Sequence, residues 1–527
     1  MARDVFYSIR LGSFQDSDGD GIGDLGGLIG RLDHLVSLGV TVIWLLPIHP
    51  SPGRDDGYDV SDYLEVDARY GSPEDFRKLV AAVHARGLRL ILDLVLNHTS
   101  RAHPWFVRAR HAPSDHPDRA WYVWSPTPDR YPQARVIFAE EEPANWSWDP
   151  VAGAWYWHRF YREQPDLNWE HPPVRAAMLH VIDHWLDQGV DGFRLDALPY
   201  LHEAEDSPCE GLPETHATLQ AIARHVRARR KDAILLGEAN GSLEGIRTYF
   251  GHGQGCSHML HFRRMTATYL AVAREAAEPL AAVLGTEGRP PAGCRWATFL
   301  RNHDELTTEH LSDADRELLL ARFAPRGGQR RFGGIRRRLA PLAGDARLWQ
   351  LLHALWLLSP GDPVLWYGDE IAMGDAPGLP DRMSVRTPML WDEGASAGFT
   401  TAREEDLPLP LARARGGPVS IQATATRSAL GFVRQLLAIR RAHPEIEDGR
   451  RRIEHAGSLL VVSPPAGASG LLVVAWVGRT GGVVDHALEV GSDARVERLI
   501  GGRTLTLVGG KLHGRMGPWG LAVLAVR

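Results

Sequence analysis

The sequence predicts an α/β protein: a (β/α)8 TIM barrel with a subdomain inserted after the third strand and a C-terminal antiparallel β-sandwich. Three observations predict it. Eight apolar runs of strand length appear along the chain, most with a helical pattern after them. That number closes a parallel sheet into a barrel more readily than it extends an open one. The alternation breaks from Thr99 to Pro173, a stretch rich in Trp, Pro, Asp and Arg without sustained helical period. So long a break inside a compact domain marks a functional insertion. From residue 449 the pattern changes again, to short Val/Leu-rich runs separated by Gly. The expected domains are therefore 1–98 with 174–448 (barrel), 99–173 (insertion) and 449–527 (β domain).

The elements follow in order. VFYSIRL near the start is the first strand. VTVIWLLP (Val40 to Pro47) has the continuous apolar character of a strand buried on both faces. Ser72 to Gly87 is a helix with a Ser cap and a Gly stop, and LRLILDLVLNH is the third strand. After the insertion, helical period returns at Val174 to Gly189, with Val174, Met178, Val181, Trp185 and Leu186 on one face. Strands VDGFRLDAL, AILLGEAN, HMLHFR, RWATFLRNHDE and PVLWYGDEIAM complete the eight. Helices ETHATLQAIARHVRAR and LWQLLHALWLLS lie among them, and Leu430 to Ile446 closes the ring. SLLVVSP, GLLVVAWVG and GLAVLAV are strands of the last domain.

Composition removes several function classes. At 527 residues the chain exceeds one core. Its net charge, 59 − 65 = −6, argues against nucleic acid as a partner. No run approaches the roughly 20 apolar residues of a membrane helix. MARDVFYSIRLGS carries no apolar signal region. Cys209, Cys256 and Cys294 are odd in number and scattered, which suits reduced thiols and a cytoplasmic location better than a disulfide framework. Composition leaves a homo-oligomer open.

Chemistry concentrates in four segments: Asp93 to His98, Asp191 to Ala197, Leu235 to Asn240 and Phe299 to Glu305. Each is an apolar run ending in charged or amide residues, as at the C-terminal ends of barrel strands. Asp196 and Glu238 suit nucleophile and proton donor for a glycosidic bond, a task that needs two carboxyls about 5–5.5 Å apart. Arg194, two residues before Asp196, points to the same face of the strand. It would hold the aspartate ionised. His98, His303 and Asp304 suit hydrogen bonds to sugar hydroxyls. In DSDGDGIGD, acids at Asp16, Asp18, Asp20 and Asp24 alternate round a Gly turn, a pattern that suits calcium. The twelfth position is Gly27, so the loop is not an EF-hand.

These four segments resemble the signature regions of the α-amylase superfamily, glycoside hydrolase family 13. The resemblance implies Asp196 as nucleophile, Glu238 as acid/base and Asp304 as the carboxylate that stabilises the distorted sugar. It implies that His98, Arg194 and His303, with Phe138 and Gln164, contact the transferred glucosyl unit. Asp59 in DDGYDVSDY would grip the non-reducing end, with Arg386 in VRTPM as its ion-pair partner, making an exo-acting pocket. Structural Ca2+ is implied at Asp16, Asp18, Asp20, the carbonyl of Ile22 and Asp24. A second ion is implied at Asn97, Asp166, Tyr200, Leu201 and Glu203. No organic cofactor is implied.

QPDLN (Gln164 to Asn168) resembles the branch holding oligo-1,6-glucosidases and trehalose synthases. Longer passages, among them WLLPIHPSPGRDDGYDVSDY, HPWFVRARHAP, CEGLPETHA, GIRRRLAPL and YGDEIAMGD, carry that likeness to about residue 450. Ala197 is the small residue typical of action on α-1,4 bonds. The implied function is retaining α-glucosyl transfer on maltose, isomerising its α-1,4 bond to the α,α-1,1 bond of trehalose, with some hydrolysis. Its partners would be maltose, trehalose and short α-glucosides. The alternative is an exo-acting α-1,4-glucosidase or transglucosidase. A non-catalytic amylase-like ectodomain ranks last, because the three acids are kept and a membrane helix is not seen. The insertion and residues 323–340 are expected as lids over the acceptor. The chain departs from the branch at Ala376, at Met383 with Ser384 and at Leu390, where Asn, Asn-Gly and Gln are usual. Each swap removes amides that could bond an acceptor sugar.

Overall fold

The computed structural model describes residues 4–489, 495–502 and 504–527. Eight parallel strands close into a barrel: β1 Phe6–Ile9, β2 Val42–Leu45, β3 Arg89–Val95, β4 Gly192–Asp196, β5 Ile234–Gly237, β6 His258–Leu260, β7 Arg295–Thr298 and β8 Asp362–Trp366. Each pairs with its sequence neighbours, and β8 returns to β1. Their residues are almost all buried, because side chains fill the barrel on one face and helices cover the other. That double burial is why the strands read as continuous apolar runs.

Register places the chemistry. Asp93 of β3 lies beside Arg194 of β4, and Leu195 lies beside Gly237 of β5. Asp196 therefore ends its strand and Glu238 follows the next one. Gly237 has to be glycine: a Cβ there would stand 2.5 Å from Met259 Sδ and 2.7 Å from Cys256 Sγ.

The expected helices form with ends shifted by a few residues. Pro73–Ala85 starts from Ser72, whose hydroxyl accepts from the Asp75 N–H while the Asp75 carboxylate accepts from the Ser72 N–H. Pro172–Asp187, Pro213–Arg229, Ala346–Leu357 and Ala429–Ala442 are the others. HMLHFR is a strand only over His258–Leu260, because His261 accepts from the Arg264 N–H and caps a helix, Phe262–Arg274, that begins at once.

The insertion holds a three-stranded antiparallel sheet, Trp124–Ser125, Ala154–Trp157 and Trp146–Asp149, over a small core of Val123, Tyr131, Trp146, Trp157 and Cys209. The bridge His98 to Asp166 ties it to the barrel top, and Tyr122 to Leu167 closes it internally. The C-terminal domain pairs a five-stranded sheet with a three-stranded one. In the larger sheet Leu460, Leu471, Val473, Ala475 and Val523 join the barrel core, while Leu459, Val461, Leu472, Val474 and Leu524 pack in the core shared with the smaller sheet. A strand covered on both faces needs no polar alternation. The three cysteines are free and buried. Among the described residues, no helix is long and apolar enough to cross a membrane.

Candidate active site

At the C-terminal end of the barrel one guanidinium organises three carboxylates. Arg194, fully buried, donates through Nη1 to Asp93 Oδ1 at 2.7 Å and to Asp196 Oδ1 at 2.6 Å. Its Nη2 is ion-paired with Glu238 Oε2. Asp196 and Glu238 thus sit on neighbouring nitrogens of one planar group, which fixes them side by side. Trp44 Nε1 and the Tyr58 hydroxyl donate to the other oxygen of Asp93, at 3.1 and 3.0 Å. Three acids sharing one cation are under-compensated. Burial, against the pull of Arg194, pushes Asp93 up to about 6, Asp196 to about 7 and Glu238 to about 7. Mutual repulsion adds to the rise, so protons leave this group in coupled steps.

Asp304 stands opposite in a cationic setting. It accepts from Arg382 Nη1 at 2.8 Å and Arg386 Nη2 at 3.0 Å, and His303 Nε2 lies 3.0 Å from its second oxygen. Burial alone would raise it, yet these neighbours hold it well below the usual carboxylate range. Burial in turn pushes His303 down to about 4, despite Asp304.

Here one expectation is corrected. Asp59 and Arg386 do not pair. The Asp59 carboxylate is fully buried and accepts from Ser51 Oγ, Arg54 N and Asp55 N, at 2.7, 3.0 and 3.0 Å. It holds its own loop together. Arg386 bonds Asp56 at 2.8 Å as well as Asp304. The acid that faces the cavity is Asp55, ion-paired with Arg382. Gln164 Nε2 reaches both Asp55 Oδ2 and His98 Nε2 at 3.1 Å, so Gln164, expected to contact the sugar, stands behind the cavity wall and braces two of the residues that form it.

The cavity above these groups measures about 140 Å3 and is lined by Asp196, Glu238, Asp304, Asp55, His98 and Phe138, among others. Arg194 acts from beneath its lining, and Arg386 from behind Asp304. Ala197, just after Asp196, is left-handed at φ 51° and ψ 32°. Such a residue stores about 1–3 kcal/mol of strain and persists only where its surroundings impose it. Asp304, Asp55 and Arg382 form the inner face of a roof that the insertion and residues 323–340 close from outside. Phe138 stacks on Phe332, and Arg331 bonds Glu141 at 2.6 Å. Arg135 of the insertion bonds Glu309 at 2.8 Å, and Asn240 donates to the other Glu309 oxygen at 2.8 Å. Among the described residues, none of Ala376, Met383 or Leu390 lines the cavity. Ala376 and Leu390 are buried, and Ala376 N donates to Ser384 O at 3.1 Å within the loop. These three positions lie in the loop packing, off the cavity wall.

The α-amylase catalytic-domain family matches residues 9–449. The chain belongs to the α-amylase family. The trehalose synthase/amylase TreS of Mycobacterium tuberculosis is 46% identical over 84% of this chain and 76% of that protein. The trehalose synthase of Thermus thermophilus is 42% identical over 99% of this chain, which spans 55% of that protein's length. Among solved structures, the trehalulose synthase MutB of Pseudomonas mesoacidophila MX-45 superposes with a TM-score of 0.77 at 26% identity, covering 99% of each chain. This α-amylase-family chain is an enzyme, trehalose synthase-like within family 13, and its chemistry is glucosyl transfer and isomerisation.

Both expected calcium sets can be tested on the donors this α-amylase-family chain provides. Asp16, Asp18 and Asp24 bring carboxylate oxygens within 4.8 Å of one another. Several are already engaged: Asp16 accepts from Asp18 N, Gly19 N and Gly21 N, and Asp24 from Ser17 N and Gly27 N. Asp20 accepts from Ile22 N at 2.7 Å instead. The loop fits a cation through Asp16, Asp18 and Asp24. The second set fits better. Asn97 Oδ1, Asp166 Oδ2 and Glu203 Oε1 are buried oxygens without a hydrogen-bond partner. Burial pushes Asp166 up to about 8 and Glu203 well above its ordinary value, the latter helped by repulsion from Asp166. Buried, unpartnered oxygens of this kind call for a hard cation.

Sequence reasoning missed Asp55, Arg382, Tyr58 and Phe332. The signal for Tyr58 and Asp55 was present in DDGYD, beside the acid that was chosen. Arg382 lies four residues before Arg386, on a short helical turn that presents both to Asp304.

Proposed function

We propose that this chain isomerises maltose to trehalose by two successive displacements at one anomeric carbon. What supports the reading is a single feature: one guanidinium holds Asp196 and Glu238 together at the floor of a roofed cavity. The relatives named trehalose synthases point the same way.

In the first displacement an Asp196 carboxylate oxygen bonds the anomeric carbon as its bond to the glycosidic oxygen breaks. Glu238 gives its proton to that oxygen, freeing glucose and leaving a glucosyl ester on Asp196. Arg194 spreads the charge that moves between the two acids. Asp304, kept anionic by Arg382 and Arg386, accepts hydrogen bonds from sugar hydroxyls, as do Asp55 and His98. The freed glucose then turns to present its own anomeric hydroxyl. Glu238, now a carboxylate, takes that hydroxyl's proton as the oxygen attacks the anomeric carbon held by the ester, and Asp196 departs as a carboxylate. Glu238 ends protonated and the cycle closes. Water in place of the hydroxyl gives two glucoses, so the roof has to exclude it.

Structural calcium would be held by the Asp16 to Asp24 loop and by Asn97, Asp166 and Glu203 with the carbonyls of Tyr200 and Leu201. At the first set it would neutralise the clustered acids, and at the second it would fasten the insertion to the barrel.

The deciding experiment incubates the protein with maltose and quantifies trehalose and glucose separately. Trehalose in excess of glucose is expected; glucose alone would make the enzyme an α-glucosidase. A slow fluorosugar substrate should label Asp196, and label on another residue would overturn the ester.

A further inference from the structure

The hairpin that reaches over the cavity carries an anomaly at its tip. Strands Arg330–Arg331 and Gly334–Ile335 pair with Arg331 opposite Gly334, leaving Phe332 and Gly333 as a two-residue turn. Both turn residues have positive φ, 47° and 70°. This is the pattern of a type I′ turn, whose first position favours Asn, Asp or Gly. A phenylalanine there is strained by its own Cβ. Asparagine would make the same hairpin more comfortably, so the ring's contacts have to offset the strain.

Those contacts are the cavity wall. Phe332 lies face to face with Phe138, ring centroids 4.1 Å apart and planes 16° apart, and Phe138 lines the cavity. Phe160 and Tyr161 hold Phe138 on its other sides, at 5.4 and 4.7 Å. The Arg331 guanidinium sits 4.2 Å from the Phe332 ring centre and bonds Glu141 at 2.6 Å and Glu140 at 3.4 Å. Gly333 N also donates to Glu140, at 3.3 Å. Residues 138–141 of the insertion and 331–333 of the hairpin thus meet through a stack and an ion pair. Close to both rings, at 5.5 and 5.9 Å, lies Arg382, the cation that bonds Asp55 and Asp304.

We propose that Phe332 is a positioning residue that decides between isomerisation and hydrolysis. It holds Phe138 and, through it, Arg382, so that the freed sugar stays in the cavity and water stays out until the second transfer. This rests on the isomerisation reading given above. The strain at φ 47° is the backbone trace of that role.

Two variants test it on the full chain with maltose. Phe332→Asn removes the ring and installs the Asn-Gly pair that the turn prefers, so the melting temperature should hold or rise. Its glucose-to-trehalose ratio should increase, by up to about 10²-fold if the freed sugar is misplaced by about 1 Å. Phe332→Tyr keeps the stack and should give the parental ratio. The ratio is read below the melting transition of every variant, so a loss of stability leaves the comparison intact. An unchanged ratio in the Asn variant overturns the proposal, and so does a Tyr variant as hydrolytic as the Asn one. A parent that makes only glucose sinks the isomerisation reading and this inference with it. A parent that makes trehalose, beside an Asn variant of unchanged ratio, sinks the inference alone.

Discussion

The floor and the roof of the cavity use the same residue types to opposite ends. On the floor Asp93, Asp196 and Glu238 share the single cation Arg194, and all three are raised. In the roof Asp304 has Arg382, Arg386 and His303 around it, and Asp56 has Arg10 and Arg386. Both roof acids are lowered: burial opposes this, and the cations prevail. Asp55 is the exception, since burial lifts it to about 7 even beside Arg382. The difference teaches that the ratio of cations to carboxylates decides which acids can exchange a proton and which stay anionic. Proton transfer belongs where positive charge is scarce.

Removing a floor acid should have the largest effect. Glu238→Gln deletes the proton donor and should lower kcat by about 10²–10⁴-fold. Asp196→Ala, which deletes the atom that carries the glucosyl unit, should cost at least as much. Trehalose and glucose release from maltose measures both. Near-parental turnover in either variant would break the comparison at its base.

A roof pair should come next. Arg382 and Asp55 are both nearly inaccessible, and deleting one member of a buried pair typically costs about 3–5 kcal/mol. Arg382→Ala should therefore destabilise the fold on that scale and, by leaving Asp55 and Asp304 without their shared cation, lower kcat/KM for maltose. Arg382→Lys should recover only part, because one ammonium does not reproduce a fork that reaches Asp55 and Asp304 together. Full recovery by lysine would reduce the roof to simple charge.

The two regions also differed in how far they could be read beforehand. The floor was legible because strand ends announce themselves: an apolar run stops, and the polar residues after it have one place to point. Asp196, Glu238 and Arg194 were found that way. The roof was not. In Asp55-Asp56-Gly57-Tyr58-Asp59 three acids fall within five residues around a glycine at φ +107°, and no periodicity tells which one faces inward. Asp59 is taken by N–H groups four and five residues away, while Asp55 finds a cation 327 residues distant. Phe332 sits in an Arg- and Gly-rich stretch whose value comes wholly from a ring 194 positions earlier in the chain.

Calcium removal should be a smaller perturbation, and it acts between the two regions, where Asp166 and Glu203 join the insertion to the barrel. A ligand present at 100 times its Kd stabilises the native state by about 2.7 kcal/mol. Chelation should lower the melting temperature, and added Ca2+ should restore it. Asp166→Asn should shrink that response while leaving the Asp16 to Asp24 loop intact. A chelation response of parental size in this variant would clear the second set of a structural role.

The smallest effect sharpens the contrast most, because its sign differs between the regions. Glu238 is raised from its ordinary 4.5 to about 7. Between those pH values the folded chain binds more protons than the unfolded one, so this group's contribution to stability falls as pH rises through the window. Asp304 is lowered, so its contribution is present above its ordinary value and is lost as pH falls below it. In the substrate-free protein at about pH 8, Glu238→Gln should therefore raise the melting temperature by about 1–3 °C. The gain should vanish near pH 4.5, where the parent's glutamate is protonated too. Asp304→Asn at about pH 8 should lower it by a similar amount, since it strips Arg382 and Arg386 of a shared partner. Calorimetry of both variants at the two pH values checks this. Shifts of the same sign would mean that floor and roof are not electrostatically distinct, and that the proton on Glu238 is held by something other than its shortage of cations.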